Sequence, residues 1–450
     1  MTRIDHALRG RRLALAVGLV VLCAGQLAVG MRASATSPVT GDEPFYLVSA
    51  QSLLTDGDLD LRDEYEQREY ESWWRGTVPL WRQMDPAPDG RLLAPHEPGL
   101  SVLIVPGFAL AGVAGVQREL VVLWAAAAAA AAVVARRRGA PAWAAAAAAV
   151  ALGIGAPGIV YGSQVYPEGP AALAVAAGLL VLTSTRTRPL LLALCAVALA
   201  WLGIKYIPIA ALLAGAWAWR WRAERRAVAV AAAVCAVAGA HWIVWHVSTF
   251  GGLTPYGVNV VWAGQDTATL VADHFDWSGR TYRLYGLLLD ARFGLLRWSP
   301  VAVLAAWGLA RPHWREAALV VLALVMGTFA SITMMGWWFP GRLLASVVPA
   351  FVVLVAAGIA RLPRLGAVLG LLSVAIGAQV AIAAHRGSIR LAVDPFELPP
   401  PLPPSWLFPD FRAFGVREVA LSCLWGAAVV AGVLWTRRHA TARGRVAGAG

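Results

Sequence analysis

Apolar stretches recur from one end of this chain to the other. Several reach the roughly 17–25 residues a helix needs to cross a bilayer. Short arginine-bearing segments separate them. Hydrophobic residues make up 59% of the 450 residues and charged ones 14%, whereas soluble domains carry about 45–50% and about 25%. The mean hydropathy of +0.62 exceeds what soluble cores of this size can hide. Lipid must be the solvent for much of the surface, which excludes a string of soluble domains. The expected fold class is an all-α polytopic membrane protein.

The net charge of +12 would suggest a nucleic-acid partner in a soluble protein. In a membrane protein the bias of arginine towards cytoplasmic loops accounts for it, so no nucleic acid is expected. Lys205 is the only lysine, and the arginine and alanine bias is that of a GC-rich, actinobacterial genome. Cys23, Cys195, Cys235 and Cys423 each lie in an apolar run, without metal-ligand spacing. They read as small lipid-phase residues. Ala33-Ser34-Ala35 imitates a signal-peptidase site, but the run 13–30 is long enough to stay as a span.

One segment decides the topology. Residues 98–116 are apolar but interrupted by Pro106-Gly107. If they cross the membrane, Arg136-Arg137-Arg138 falls outside. If they form a re-entrant or surface-lying helix, those arginines fall inside. The second reading places spans at about 13–30, 119–135, 142–160, 168–184, 189–204, 207–219, 227–247, 299–310, 316–335, 343–360, 365–384 and 418–436. That gives about twelve spans in the plasma membrane, with both termini cytoplasmic. The expected division is a transmembrane module over 1–250 that includes an outer loop at 31–118. An outer loop at 251–298 and C-terminal helices over 299–436 with an outer loop at 385–417 follow, then a disordered cytoplasmic tail at 437–450. The outer loops hold most of the acidic residues and form a polar layer.

Rare charges at polar-to-apolar junctions are the chemical candidates. Gly41-Asp42-Glu43-Pro44-Phe45-Tyr46 follows the first span. A carboxylate there could deprotonate an acceptor hydroxyl, or Asp42 could simply cap the following helix. Lys205, in Gly203-Ile204-Lys205-Tyr206, sits between two short apolar runs at the outer side. It could neutralise a phosphate that gains charge or reach to headgroups. Glu168, after Tyr166-Pro167, opens a span and suits a helix N-terminus or a bound hydroxyl. Arg342 follows Trp337-Trp338-Phe339-Pro340-Gly341 and could grip a phosphate or anchor to headgroups.

The stretch "GDEPFYLVSAQSLLTDGDLDL" from Gly41 resembles the first outer loop of the GT-C superfamily. These are membrane glycosyltransferases that use polyprenyl-phosphate sugars, such as protein O-mannosyltransferases and aminoarabinose transferases. The resemblance continues in short motifs at His96-Glu97-Pro98-Gly99, Tyr166-Pro167-Glu168, Lys205-Tyr206, 286–300 and Gly336-Trp337-Trp338 to Arg342. Glu97 departs from it, since a basic residue is common there. The resemblance implies a GT-C-like fold with surface helices in a large first outer loop. It implies inverting transfer of a sugar from a polyprenyl-phosphate donor to a glycan, lipid or protein acceptor on the extracytoplasmic face. Asp42 would be the general base and Glu43 a supporting carboxylate. Tyr46, His96, Glu97, Tyr166, Glu168, Lys205, Tyr206 and Arg342 would bind substrate, with no cofactor and no metal.

Two other classes compete. A transporter or flippase of a polyprenyl-linked lipid would line a path with polar residues inside its spans, where Gln379 is an exception among apolar neighbours. A non-catalytic membrane partner subunit is the second. Weaker signals are Asp56-Gly57-Asp58-Leu59-Asp60, which starts like a calcium loop but lacks glycine and glutamate at the later positions. His241 and His246 are five residues apart and share no helix face. Asp273, His274 and Asp276 could hold a metal.

Overall fold

The computed structural model describes residues 3–447, apart from 88, 256–277, 310, 332, 397 and 414. Asp273, His274 and Asp276 therefore lie outside the described residues. Among the described residues the protein is helical throughout, with no β-strand beyond an isolated bridge. Four helices are long and apolar enough to cross a membrane: Gly99–Arg137, Arg225–Phe250, Pro363–Arg386 and Val416–Trp435. Other expected spans coincide with shorter apolar helices, at Ala142–Ile154, Glu168–Leu182, Pro189–Leu202 and Val348–Arg361. The span expected at 142–160 is split at Gly155, which has extended backbone between Ala142–Ile154 and Ala156–Tyr161. The one expected at 299–310 is irregular, made of a short 3-10 turn, Pro300–Leu304, and a single α turn, Ala305–Gly308. The last helix runs on through the residues expected as a tail, to Ala447, since alanine and arginine are good helix formers. All four cysteines are free thiols.

The helix Gly99–Arg137 is not straight. Ala111 and Gly112 leave helical backbone, with Gly112 at φ +55, a conformation that favours glycine. The chain folds back there. The Gly107 amide donates to Glu119 Oε2 at 2.9 Å, twelve residues on. A Cβ on Gly115 would stand 2.0 Å from the Gly107 carbonyl oxygen. In a straight helix eight residues would separate those glycines by about 12 Å. Pro106-Gly107 marked the interruption, but the bend falls five residues later.

The segments that follow run up and down in short hairpins. At one end Arg137 donates to Leu180 O and Thr183 Oγ1. There too Arg138 bonds Glu316 and Arg220 donates to Ser184 O. The arginine-rich connections expected on the inner side thus meet at a common end. At the other end the turn after Tyr161 and the turn at Gly203–Tyr206 face each other.

The alanine runs pack as smooth helix faces. Ala128, Ala131, Ala132, Ala144, Ala145 and Ala148 are buried, and Gly18 of the first helix, Arg3–Gln26, approaches Ala129. Without large side chains the backbones can come close, which suits association in lipid.

Candidate functional site

The acidic pair stands at the start of the helix Glu43–Thr55. Asp42 occupies the cap position yet makes no side-chain cap bond. Pro44 lacks an N–H, and Glu43 already takes the Thr40 amide at 2.9 Å. Its other oxygen accepts the Val165 amide at 2.9 Å. Glu43 is fully buried and ties the start of this helix to the turn before Glu168. Burial pushes its carboxyl from near 4.5 up to about 8, against the pull of those two amides. Gly41, at φ +62, makes the turn that leads into the two carboxylates. A Cβ there would meet Tyr166 Oη at 3.0 Å and Trp337 O at 3.1 Å.

Asp42 points the other way, into a charged cluster. Both terminal nitrogens of Arg342 donate to its Oδ2 at 3.1 Å. Arg342 Nε donates to Glu168 Oε1 at 3.1 Å, and Lys205 Nζ donates to the same oxygen at 2.7 Å. Residues 42, 168, 205 and 342 thus meet as two cations and two carboxylates. The arrangement in which Asp42 and Lys205 fall on opposite sides is not the one adopted. Arg342 is buried, which rules out its use as a headgroup anchor. Its guanidinium lies 3.9 Å from the centre of the Tyr166 ring and 5.2 Å from that of Trp338, within cation–π range of both. Lys205 lies 5.0 Å from the Tyr206 ring and keeps a third of its side chain exposed. Glu168 is the first residue of the helix Glu168–Leu182, so it both suits that N-terminus and holds two cations.

A second line of polar groups reaches Asp42 from the loop. Gln83 Nε2 donates to Asp42 Oδ1 at 3.4 Å, and Gln83 Oε1 lies 2.8 Å from His96 Nε2. A carboxylate only accepts, so the Gln83 carbonyl faces His96 and His96 must donate from Nε2. Burial lowers His96 to about 4 despite nearby Asp42, which keeps the ring neutral near pH 7. Tyr46 stacks on it at 4.7 Å. Burial would raise Asp42, but Arg342 and His96, with the bonds from Arg342 and Gln83, hold it below its ordinary value.

Glu97 is not in this cluster. It turns to His246, with Oε2 2.7 Å from Nε2. His246 Nδ1 lies 2.8 Å from the Trp242 carbonyl, which only accepts, so Nδ1 carries a hydrogen. One proton is then shared between Nε2 and Glu97. Burial raises Glu97 to about 8. Sequence reasoning set His246 aside because it shares no helix face with His241; its partner, Glu97, comes from a distant segment. It also missed Gln83 as an uncharged residue in an unpatterned loop.

Beside the cluster lies a narrow cleft. Glu168, Lys205, Tyr206 and Arg342 line its polar end, and Ile209, Met326 and Leu343 its apolar wall. Tyr166 Oη is buried without a hydrogen-bond partner. The arrangement can hold an anion at the cations, an apolar chain along the wall and a hydroxyl near Asp42.

Fold and site define an all-helical membrane protein with a matched charge cluster at one end of its helices. No family model matches the sequence, and no curated protein matches it. Among solved structures, the crystal structure of ArnT from Cupriavidus metallidurans in the apo state is similar, with a TM-score of 0.47 and 17% identity. The match covers 96% of this chain and 73% of that one.

Proposed function

We propose that this chain is an integral membrane glycosyltransferase of the GT-C type. It would move a sugar from a polyprenyl-phosphate donor to an acceptor hydroxyl on the extracytoplasmic face, with inversion. The observation that carries this reading is the Asp42–Arg342–Glu168–Lys205 cluster beside a cleft with one polar end and one apolar wall. The lipid tail lies along Ile209, Met326 and Leu343, and the phosphate meets Lys205 and Arg342.

The chemistry is a single displacement. The acceptor oxygen attacks the anomeric carbon on the face opposite the phosphate. Its proton passes to Asp42, the bond from carbon to phosphate oxygen breaks, and that electron pair stays on the departing polyprenyl phosphate. The leaving group gains one negative charge, which the two cations balance. Arg342 depresses Asp42 in the resting cluster. When the donor phosphate takes a share of Arg342, that hold weakens and Asp42 becomes a better base.

A path for transport finds less support. Gln379 donates to the Pro399 carbonyl at 2.8 Å, so its polar group serves a loop contact. Asp42→Asn tests the catalytic reading against a non-catalytic partner subunit. The variant should still insert and fold, with a lower melting temperature because buried Arg342 loses a carboxylate partner, while losing about 10²–10⁴-fold in transfer, the range of a general base. Lys205→Ala should chiefly raise the KM for the donor. Full transfer by Asp42→Asn would remove Asp42 as base and with it this assignment.

A further inference from the structure

A second group of carboxylates lies at the far end of the helix Glu43–Thr55, about 20 Å along it from Asp42. The helix ends on Asp56, and the chain turns into the short helix Arg62–Glu66. There Asp56, Asp63 and Glu64 come together, with one oxygen of each within 4.8 Å of the others.

Glu64 makes this more than an acidic surface. It is fully buried, and neither carboxylate oxygen has a donor in good hydrogen-bond geometry, its polar neighbours being its own amide, Asp63 and Ser52. Ser52 lies alongside, but its hydroxyl bonds the backbone oxygen and Oδ1 of Asp58, at 3.1 and 3.2 Å. The neighbouring cation is taken as well, since Arg62 pairs with Asp60 at 2.7 Å. Ionising a buried carboxyl that faces two more carboxylates is costly on both burial and repulsion, a cost that a cation between them offsets.

We propose that Asp56, Asp63 and Glu64 bind a calcium ion. Three carboxylate oxygens form a hard, all-oxygen set, which suits Ca²⁺ or Mg²⁺. Three protein carboxylates on one ion suit calcium, which takes about six to eight oxygens in flexible geometry, better than magnesium, which keeps several of its waters and is held by one or two carboxylates. Asp56 is exposed, so the ion has a way in and water can fill the remaining positions.

This is not the loop that the Asp-Gly-Asp-Leu-Asp stretch imitates. Asp58 Oδ1 accepts the Asp60 amide at 2.9 Å, and Asp60 Oδ1 accepts the Leu92 amide at 2.9 Å. Those two side chains stitch the turn, and the ligands come from either side of it. The ion would clamp the end of the helix Glu43–Thr55 to the loop that follows. Its role is structural and does not depend on the sugar-transfer reading.

The full-length protein in detergent, stripped with EDTA, tests this without any sugar donor. Titration with CaCl₂ should raise the melting temperature saturably. Glu64→Gln should weaken the apparent calcium affinity at least tenfold. Asp56→Asn, at an exposed position, should weaken it as well, and keeps the test open if Glu64→Gln does not fold. Melting that stays unchanged up to about 10 mM CaCl₂, beyond the range of weak extracellular sites, would overturn the proposal. So would an unaltered calcium response in Asp56→Asn, or a response to MgCl₂ with none to CaCl₂.

Discussion

Adjacent residues 42 and 43 are chemically alike and do opposite work. Asp42 meets Arg342 and Gln83 at the edge of the cluster. Glu43 is buried against the Thr40 and Val165 amides. Because burial raises Glu43 from near 4.5 to about 8, the folded protein holds a proton that the unfolded chain releases. That contribution to stability is complete below about pH 4.5 and is lost as pH rises to about 8. Thermal melts between pH 5 and 9 should therefore fall with pH in the parent, and fall less in Glu43→Gln, which carries no proton to lose. Glu43→Gln should also melt lower overall, since the amide nitrogen cannot accept, leaving one buried N–H orphaned at about 1–3 kcal/mol. Identical pH slopes in parent and variant would refute the assignment. Asp42, Glu168, Lys205 and Arg342 were legible in the sequence because charges are rare in it and these stand at apolar junctions. The division of labour between 42 and 43 was not, because it depends on an amide 122 residues away. Gln83 was invisible for a similar reason: an uncharged side chain in a loop carries no pattern.

At the scale of elements, the fold-back in the helix Gly99–Arg137 decides what the first loop can reach. Two glycines without side chains let its arms touch. Gly115→Ala would put a Cβ 2.0 Å from the Gly107 carbonyl oxygen, and backbone cannot yield as a flexible side chain can. The variant should lose about 1–3 kcal/mol, the cost of overpacking a close contact, seen as a lower melting temperature. Gly139→Ala, with no neighbour within 4 Å but φ +97, should cost only its backbone strain. Equal melting of Gly115→Ala and the parent would mean that the arms do not touch. The sequence marked this interruption through Pro106-Gly107, yet not its position, because proline here sits within helical backbone while Gly112 takes the turn. Shorter breaks, such as the extended residue Gly155 between two helices, lie in a stretch with Gly153, Pro157 and Gly158, a signal that the apolar length of the run outweighed.

For the whole molecule, the hairpins sort the arginine-rich turns to one end and the charge cluster to the other. The helix direction follows from hydropathy alone, but the side of the membrane does not. In a background without the four native cysteines, Arg62→Cys should react in intact cells with a maleimide that cannot cross membranes. Arg364→Cys should react only after permeabilisation. The reverse pattern would put the cluster in the cytoplasm and sink an extracytoplasmic transfer. The cluster's composition has a further consequence. Asp42 and Glu168 cancel Arg342 and Lys205, so the unliganded site is electrically quiet. It offers little pull to small soluble anions, which must break existing ion pairs with nothing else to gain. A ligand with a long hydrocarbon chain gains from the wall of the cleft before its headgroup competes for the guanidinium. Discrimination would then begin with the tail, and the charges would judge only molecules that the bilayer has already delivered.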